Sequence, residues 1–293
     1  MLGPVRRLAR SAAIQSSLSG AAGTVGRVPD PDRLPLTAAD LETYRERGVL
    51  RVPSAFPREA ALEVQDILWS DVERRLQVRR GDPASWRAAP YWTGFQSIKS
   101  ALGRIVSPQL TGALDHLLGA GTWRYPKQWG GLLVGPPADP STPWTLTDRN
   151  WHWDGPPLVG CLFFALFADL PPRSGGTLLV EGSGPLLQDW FEALPPEAPR
   201  KQRSMRHQFL ASHPFLRRLS GRDPVDRDPD DLLATHVDAE GRRLRVTEVS
   251  GEAGDVIVCH SNVVHAAPVH TGTAPRFLCI RHLDYGPLAR RAA

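Results

Sequence analysis

The sequence predicts a mainly β domain, a sandwich or barrel, with helices flanking it. Three observations lead there. From about residue 123 onward, short apolar runs alternate with Gly and Pro clusters, the texture of many short strands joined by turns. The 26 glycines and 28 prolines are spread along the chain, which suits a turn-rich β architecture better than a helical bundle. At 293 residues the chain is long enough to bury one sizeable core.

The elements follow in order. Residues 1–29 are rich in Arg, Ser, Ala and Gly and contain no acid. That composition fits a mitochondrial transit peptide or a flexible arm. The expectation is a flexible arm over 1–33, in a cytoplasmic protein, with the mitochondrial matrix as the alternative. A single domain should then run over 34–293. Thr37-Ala38-Ala39-Asp40 resembles a capping box with Asp in the last place, so a helix should start there and stop at Gly48. Residues 49–52 read as a strand. Pro57 opens a second helix, with apolar residues at helical spacing, and a third is expected over 108–118. Strands are expected at 132–134, 158–167, 177–180, 244–249, 255–259, 263–265 and 276–282. Residues 185–235 interrupt that series and are too long for an ordinary loop. They read as a partly helical insertion able to cover a site.

Charge and cysteine content exclude several classes. The net charge is +4, and Arg6, Arg7, Arg10 and Arg27 account for all of it before the first acid, Asp30. The body is near neutral, so no nucleic-acid partner is expected. No apolar run approaches the roughly 18 residues of a membrane span, so no membrane partner is expected either. Cys161, Cys259 and Cys279 all sit in strand-like runs. An odd count without paired spacing argues against a disulfide framework and for a reducing compartment. The partner is expected to be a small-molecule substrate; the oligomeric state is not legible.

The most informative segment is Asn150-Trp151-His152-Trp153-Asp154-Gly155. In an extended chain, side chains two apart share a face, so His152 and Asp154 can converge on one ion. An aspartate before Gly155 and Pro156 can equally cap a turn. A second histidine would complete a set of two imidazoles and one carboxylate, which leaves metal positions open, as in non-haem iron(II) oxygenases. Gly254 to Pro268 reads as turn, strand, loop, strand, with His265 in the second strand. Arg276 follows eleven positions later. A hairpin between them would return Arg276 to the neighbourhood of His265. There it could clamp a distant carboxylate by a bidentate, charge-assisted pair. A 2-oxoglutarate molecule, chelating a metal by its keto-acid end, needs that cation.

Together these residues resemble the phytanoyl-CoA dioxygenase family of Fe(II)/2-oxoglutarate oxygenases. The resemblance rests on His152 and Asp154, the glycine-rich turn at 174–183, Gly254-Asp255, His265 and Arg276, with His260 five positions before the distal histidine. Residues 36–53 resemble the family's opening helix and strand, so the similarity spans about 36–284. It implies a double-stranded β-helix, a cupin-like jelly-roll barrel with N-terminal helices packed on one sheet. It implies Fe(II) held by His152, Asp154 and His265, 2-oxoglutarate held by Arg276, and O2 as the oxidant. Phe164 matches the aromatic that commonly lines the cosubstrate. Two positions depart from the family: Ala267 stands where Ser is common, and Gly135 stands before Pro136-Pro137 where Lys is common. The implied activity is oxidation, chiefly hydroxylation, of an unactivated C–H bond of a small organic molecule, such as a natural-product intermediate, with release of succinate and CO2. Asp154 argues against halogenation, since related halogenases lack that carboxylate.

Other readings stay open at this stage. The fold without the chemistry would make a small-molecule binding module. The same ligands also suit a zinc hydrolase, which would have no use for Arg276. His260, His265, His270 and His282 crowd the C-terminal region, and most should be ordinary strand or loop histidines. His265 is preferred by its spacing, with His260 its competitor. Trp153 reads either as core packing or as the wall of a substrate cavity. Arg200, Lys201, Arg203, Arg206, Arg217 and Arg218 read either as a solvated helix face or as the seat of an anionic handle on the substrate.

Overall fold

The computed structural model describes residues 36–86, 95–154, 160–195, 197, 201–223 and 228–284. The expected arm at 1–33 lies outside them, as do Gly155, Pro156 and Arg200.

The chain opens with helix α1 (Ala38–Arg47). Its capping box is present: the Thr37 side chain accepts from Asp40 N, and the Asp40 carboxylate accepts from Thr37 N at 2.8 Å. Gly48 ends the helix at φ 68°, a left-handed conformation that suits glycine. Strand β1 (Val49–Val52) follows, then α2 (Arg58–Leu76), entered through Pro57. A short helix α3 (Pro83–Trp86) and a 3₁₀ segment (Phe95–Ile105) were not foreseen from sequence. Helix α4 (Pro108–Leu118) has the expected bounds, with Ser107 accepting from Leu110 N and Pro108 in its first turn.

The strands form two antiparallel sheets. Those after β1 are β2 (Gly131–Gly135), β3 (Gly160–Leu166), β4 (Leu178–Glu181), β5 (His236–Val237), β6 (Arg243–Glu248), β7 (Val256–His260), β8 (Val264–Ala266) and β9 (Arg276–Asp284). One sheet has the order β1-β7-β3-β9-β2 and the other β5-β6-β4-β8. The described residues between 183 and 233 form four helices: α5 (Ser183–Glu192), α6 (Gln202–Ser212), α7 (Pro214–Leu219) and α8 (Pro229–Leu233).

Side-chain alternation along the strands sorts the apolar residues into three layers. Phe163, Val256, Val258, Phe277 and Cys279 face α2 and α4 on the outside of the five-stranded sheet. Leu178, Val180, Leu244, Val246 and Val264 face α5, α6 and α7 on the outside of the four-stranded sheet. Between the sheets lie Leu162, Phe164, Leu166, Leu179, Ile257, Leu278 and Ile280. Burial on both faces explains why β3 is an unbroken apolar run, with all seven residues buried. The helices do not simply decorate the β core; each set closes an outer face.

One expectation is corrected here. Residues 265 and 276 are not joined by a hairpin. β8 pairs with β4 in one sheet, whereas β9 pairs with β3 and β2 in the other. The connection between them includes Pro268 and Pro275, which cannot donate to a ladder, and it crosses from sheet to sheet. His265 and Arg276 still face one another's layer, because each points inward from its own sheet.

Gly254-Asp255 turns out to be a structural tether. The buried Asp255 carboxylate accepts from Ser54 N at 2.9 Å, Glu252 N at 2.8 Å and Arg51 Nε at 2.9 Å, fixing β1 to the turn before β7.

Candidate metal centre

The three sequence-selected ligands meet. One atom each from His152, Asp154 and His265 lies within 4.8 Å of the others. The backbone arranges this. His152 N donates to His265 O at 2.9 Å and His265 N donates to His152 O at 2.7 Å, so the segment carrying His152 is bridged to the edge of β8. The two rings lie 4.3 Å apart between centroids. His265 lies between Val264 and Ala266, which face outward, so its side chain turns into the layer between the sheets.

Both imidazoles are presented in the tautomer a metal needs. Nδ1 of His152 is 2.5 Å from Asn150 O, and Nδ1 of His265 is 3.0 Å from Val263 O. A carbonyl oxygen only accepts, so each Nδ1 carries the hydrogen and each Nε2 keeps its lone pair. Those Nε2 atoms face the two oxygens of one carboxylate: His152 Nε2 is 3.7 Å from Asp154 Oδ1, and His265 Nε2 is 3.7 Å from Asp154 Oδ2. These separations are too long for hydrogen bonds and leave room for an ion.

Electrostatics favours the same state. The hydrogen bond from His282 holds the Asp154 carboxyl down at about 2, helped by the neighbouring histidines and opposed by partial burial. Burial pushes His265 down to about 4, with the His152 ring adding to it. At neutral pH the carboxylate is therefore ionised and His265 is neutral, ready to bind a cation.

His282 is the functional residue that sequence reasoning passed over. Its Nε2 donates to Asp154 Oδ2 at 3.0 Å, across 128 residues of chain. It lies opposite Leu162 in the β3–β9 register, on the inward face of β9 with Leu278 and Ile280. The available signal was its place six residues after Arg276, an even step along one strand. His260, the rival ligand, is elsewhere: its Nδ1 accepts from Asn262 N at 3.3 Å, and its ring lies against Gly184 of α5.

Arg276 shares the inward face of β9. Its Nη1 donates to Gly175 O at 2.7 Å, while its Nε is buried with no hydrogen-bond partner among the described residues. Burial lowers its pKa, and Glu248 opposes that shift. The 174–176 turn that receives Arg276 is itself clamped, because Glu248 Oε1 accepts from Gly175 N and Gly176 N at 2.7 Å each. Opposite Arg276 in register is Gly135, where a Cβ would meet nothing within 4 Å. Gly135 thus leaves room on its strand for a larger side chain.

Phe164 is fully buried in the layer between the sheets, paired in register with Ile257 and Ile280. Trp153 does not line this layer. It is buried on the helical side, edge-on to Phe191 at 5.9 Å and Phe209 at 5.6 Å, because it alternates with the inward-turned His152 and Asp154. Its core-packing reading is the one the structure selects.

No family model matches the sequence, and no curated protein matches it. Several solved structures overlap the fold. The non-haem alpha-ketoglutarate-dependent carbocyclase SnoK from nogalamycin biosynthesis does so at 18% identity, over 87% of this chain and 90% of that one, with a TM-score of 0.47. The epimerase SnoN, in complex with Fe3+, alpha-ketoglutarate and nogalamycin RO, does so at 13% identity, over 85% of each chain, with a TM-score of 0.47. AviO1 from Streptomyces viridochromogenes Tue57 does so at 16% identity, over 85% of this chain and 95% of that one, with a TM-score of 0.48. At this degree of overlap, the chemistry has to be read from the site residues themselves.

Proposed function

We propose that the protein is an Fe(II)- and 2-oxoglutarate-dependent dioxygenase that hydroxylates an unactivated C–H bond of a small organic molecule, releasing succinate and CO2. The observation that carries the reading is the pairing of two features in one layer: a set of two histidines and one aspartate with a free side, and a buried arginine with an unpartnered Nε. The domain would run from about residue 34 and have the double-stranded β-helix form, its two sheets supplying the two walls of the site.

The donor set fits iron(II), with two imidazole nitrogens and one carboxylate and the remaining positions open. When bound, iron would let O2 deliver one oxygen atom to 2-oxoglutarate, giving succinate and CO2, and the other to the C–H bond, while the protein supplies placement. His152, Asp154 and His265 hold the metal. Arg276 takes the far carboxylate of the cosubstrate. His265 pairs with Leu179, and the carbonyl that receives Arg276 belongs to Gly175, four residues away. Four residues span at most about 14 Å of extended chain, and the two side chains take up several of those ångströms. A short dicarboxylate fits within that upper bound. Phe164, Leu278 and Ile280 make that layer apolar, which excludes water and strengthens the charge pairing within it.

A zinc hydrolase would give Arg276 no task, and a buried cation without one is costly. A retired binding module would have no need of histidines tied in the ligating tautomer. No helix among the described residues is long and apolar enough to cross a membrane. A cytoplasmic setting, or the mitochondrial matrix, fits three cysteines that are all free and buried.

Anaerobic addition of Fe(II) and 2-oxoglutarate tests the reading. A weak visible charge-transfer band should appear, and succinate should form once oxygen is admitted. Absence of both would remove the proposal.

A further inference from the structure

An open groove of about 830 Å³ lies between residues 150–151 and one side of α6, and adjoins a second hollow of about 480 Å³. Asn150, Trp151, His207 and Arg222 line both. Lys201, Arg203 and Arg206 line the larger one, so four of its side chains are basic and none is acidic, while Asp148 and Arg149 line the smaller one.

Elsewhere in this stretch the arginines are matched. Arg217 pairs with Asp223 at 3.5 Å, Arg218 with Asp231, and Arg242 with Asp189 at 2.8 Å. Lys201, Arg203 and Arg222 have no acidic partner among the described residues. Arg222 Nε is buried without a hydrogen-bond partner there. The placement is also unfavourable for α6. Lys201 precedes the helix without a side-chain cap, and its first turn holds no acid, where the helix dipole favours negative charge. An anion in the groove would relieve both penalties.

The groove borders the segment that carries His152 and Asp154, although neither side chain lines it. Asn150, which lines both hollows, offers the carbonyl that holds His152 Nδ1 at 2.5 Å. Arg206 Nη2 donates to Trp153 O at 2.9 Å. Groove residues therefore engage the backbone on both sides of His152.

We propose that this groove binds a phosphate or pyrophosphate group of the substrate and so directs the rest of the molecule toward the metal centre. Lys201, Arg203 and Arg222 together exceed what a single carboxylate would balance, and the guanidinium fork matches phosphate oxygens. The groove stands on its own residues; its role in substrate binding rests on reading His152, Asp154 and His265 as metal ligands.

The test uses the full chain. First, the metal-free protein is titrated with inorganic pyrophosphate by calorimetry. Saturable binding is expected, weakened at least tenfold in an Arg203→Gln/Arg222→Gln variant and in an exposed-site Lys201→Gln/Arg203→Gln variant, and unchanged in Arg217→Gln. Circular dichroism checks that each variant is folded. No saturable binding, or equal binding by the groove variants, overturns the site. Tighter binding of a single-stranded oligonucleotide than of pyrophosphate also overturns it, by assigning the groove to a polyanion. Second, Mn(II) is added and the 31P signal of bound inorganic phosphate is followed. Broadening in the wild type, lost in Arg203→Gln/Arg222→Gln, supports the link to the metal centre. Phosphate binding without broadening, in protein shown to hold Mn(II), overturns the substrate role. The first arm contains no metal, so its failure is distinguishable from failure of the oxygenase reading.

Discussion

His282 Nε2 donates to Asp154 Oδ2 at 3.0 Å, so a residue on the five-stranded sheet orients a carboxylate carried beside the four-stranded one. Partners of this kind fix a ligand's angle and tune its basicity, and their loss typically costs roughly 10–100-fold in metal affinity. His282→Ala should weaken Mn(II) or Fe(II) binding by about that factor in a calorimetric titration. His282→Asn, which keeps a donor, should recover part of it. Equal affinity in wild type and His282→Ala would show that Asp154 needs no such support.

Removing a ligand should act differently from removing a neighbour. His265→Ala should abolish stoichiometric metal binding and iron-dependent succinate formation. His260→Ala should leave both measurable, because its ring contacts Asn262 N and Gly184 rather than the triad. The reverse pattern would make His260 the ligand.

Arg276→Gln should leave metal affinity intact while raising the 2-oxoglutarate requirement roughly tenfold to a hundredfold, since charge-assisted hydrogen bonds are worth about 1.5–3 kcal/mol. The quantity to measure is KM for 2-oxoglutarate in a succinate assay. An unchanged KM would remove Arg276 from the cosubstrate site.

Burial of His265 predicts a pH dependence for the metal-free protein. The unfolded chain takes up a proton near 6.5, whereas the folded His265 resists until about 4. The folded state is thus favoured fully above about 6.5 and loses up to about 3 kcal/mol as pH falls toward 4. Urea unfolding at pH 7 and pH 4.5 should show a smaller loss in His265→Gln than in wild type. Identical losses would mean that His265 is solvated in the native protein.

Two glycines near Arg276 should respond in opposite ways. A Cβ on Gly176 would collide with the Val249 carbonyl oxygen, so Gly176→Ala should destabilise by more than about 2 kcal/mol. Gly135 faces open space opposite Arg276, so Gly135→Val should fold with an unchanged melting temperature and raise KM for 2-oxoglutarate. Thermal melts and the succinate assay read the two effects apart.

The triad was legible in the sequence because spacing within short segments carries it. His152 and Asp154 are two apart, and Arg276 follows His265 at a fixed interval. The strand positions were legible from apolar runs and turn residues. What spacing did not carry was which sheet each strand joins. The expected hairpin from His265 to Arg276 became a crossover because β8 finds its partner in β4 and β9 finds its partners in β3 and β2. His282 stayed hidden for the same reason, since its role depends on a contact across 128 residues. Trp153 was ambiguous until the helices of the 185–235 stretch supplied Phe191 and Phe209 as its neighbours.

The crossover between β8 and β9 has a mechanical meaning. His152 and His265 belong to one sheet and its bridged edge, while Arg276 and His282 belong to the other. A metal ion and a dicarboxylate bound together would therefore act as a rivet through two stacked plates. Such a rivet would tie any motion of one sheet to that of the other. Occupancy should then be felt far from the ligands, as slower amide hydrogen exchange at the outer strands β1 and β5, and the tightness of the riveted state would set how readily product leaves.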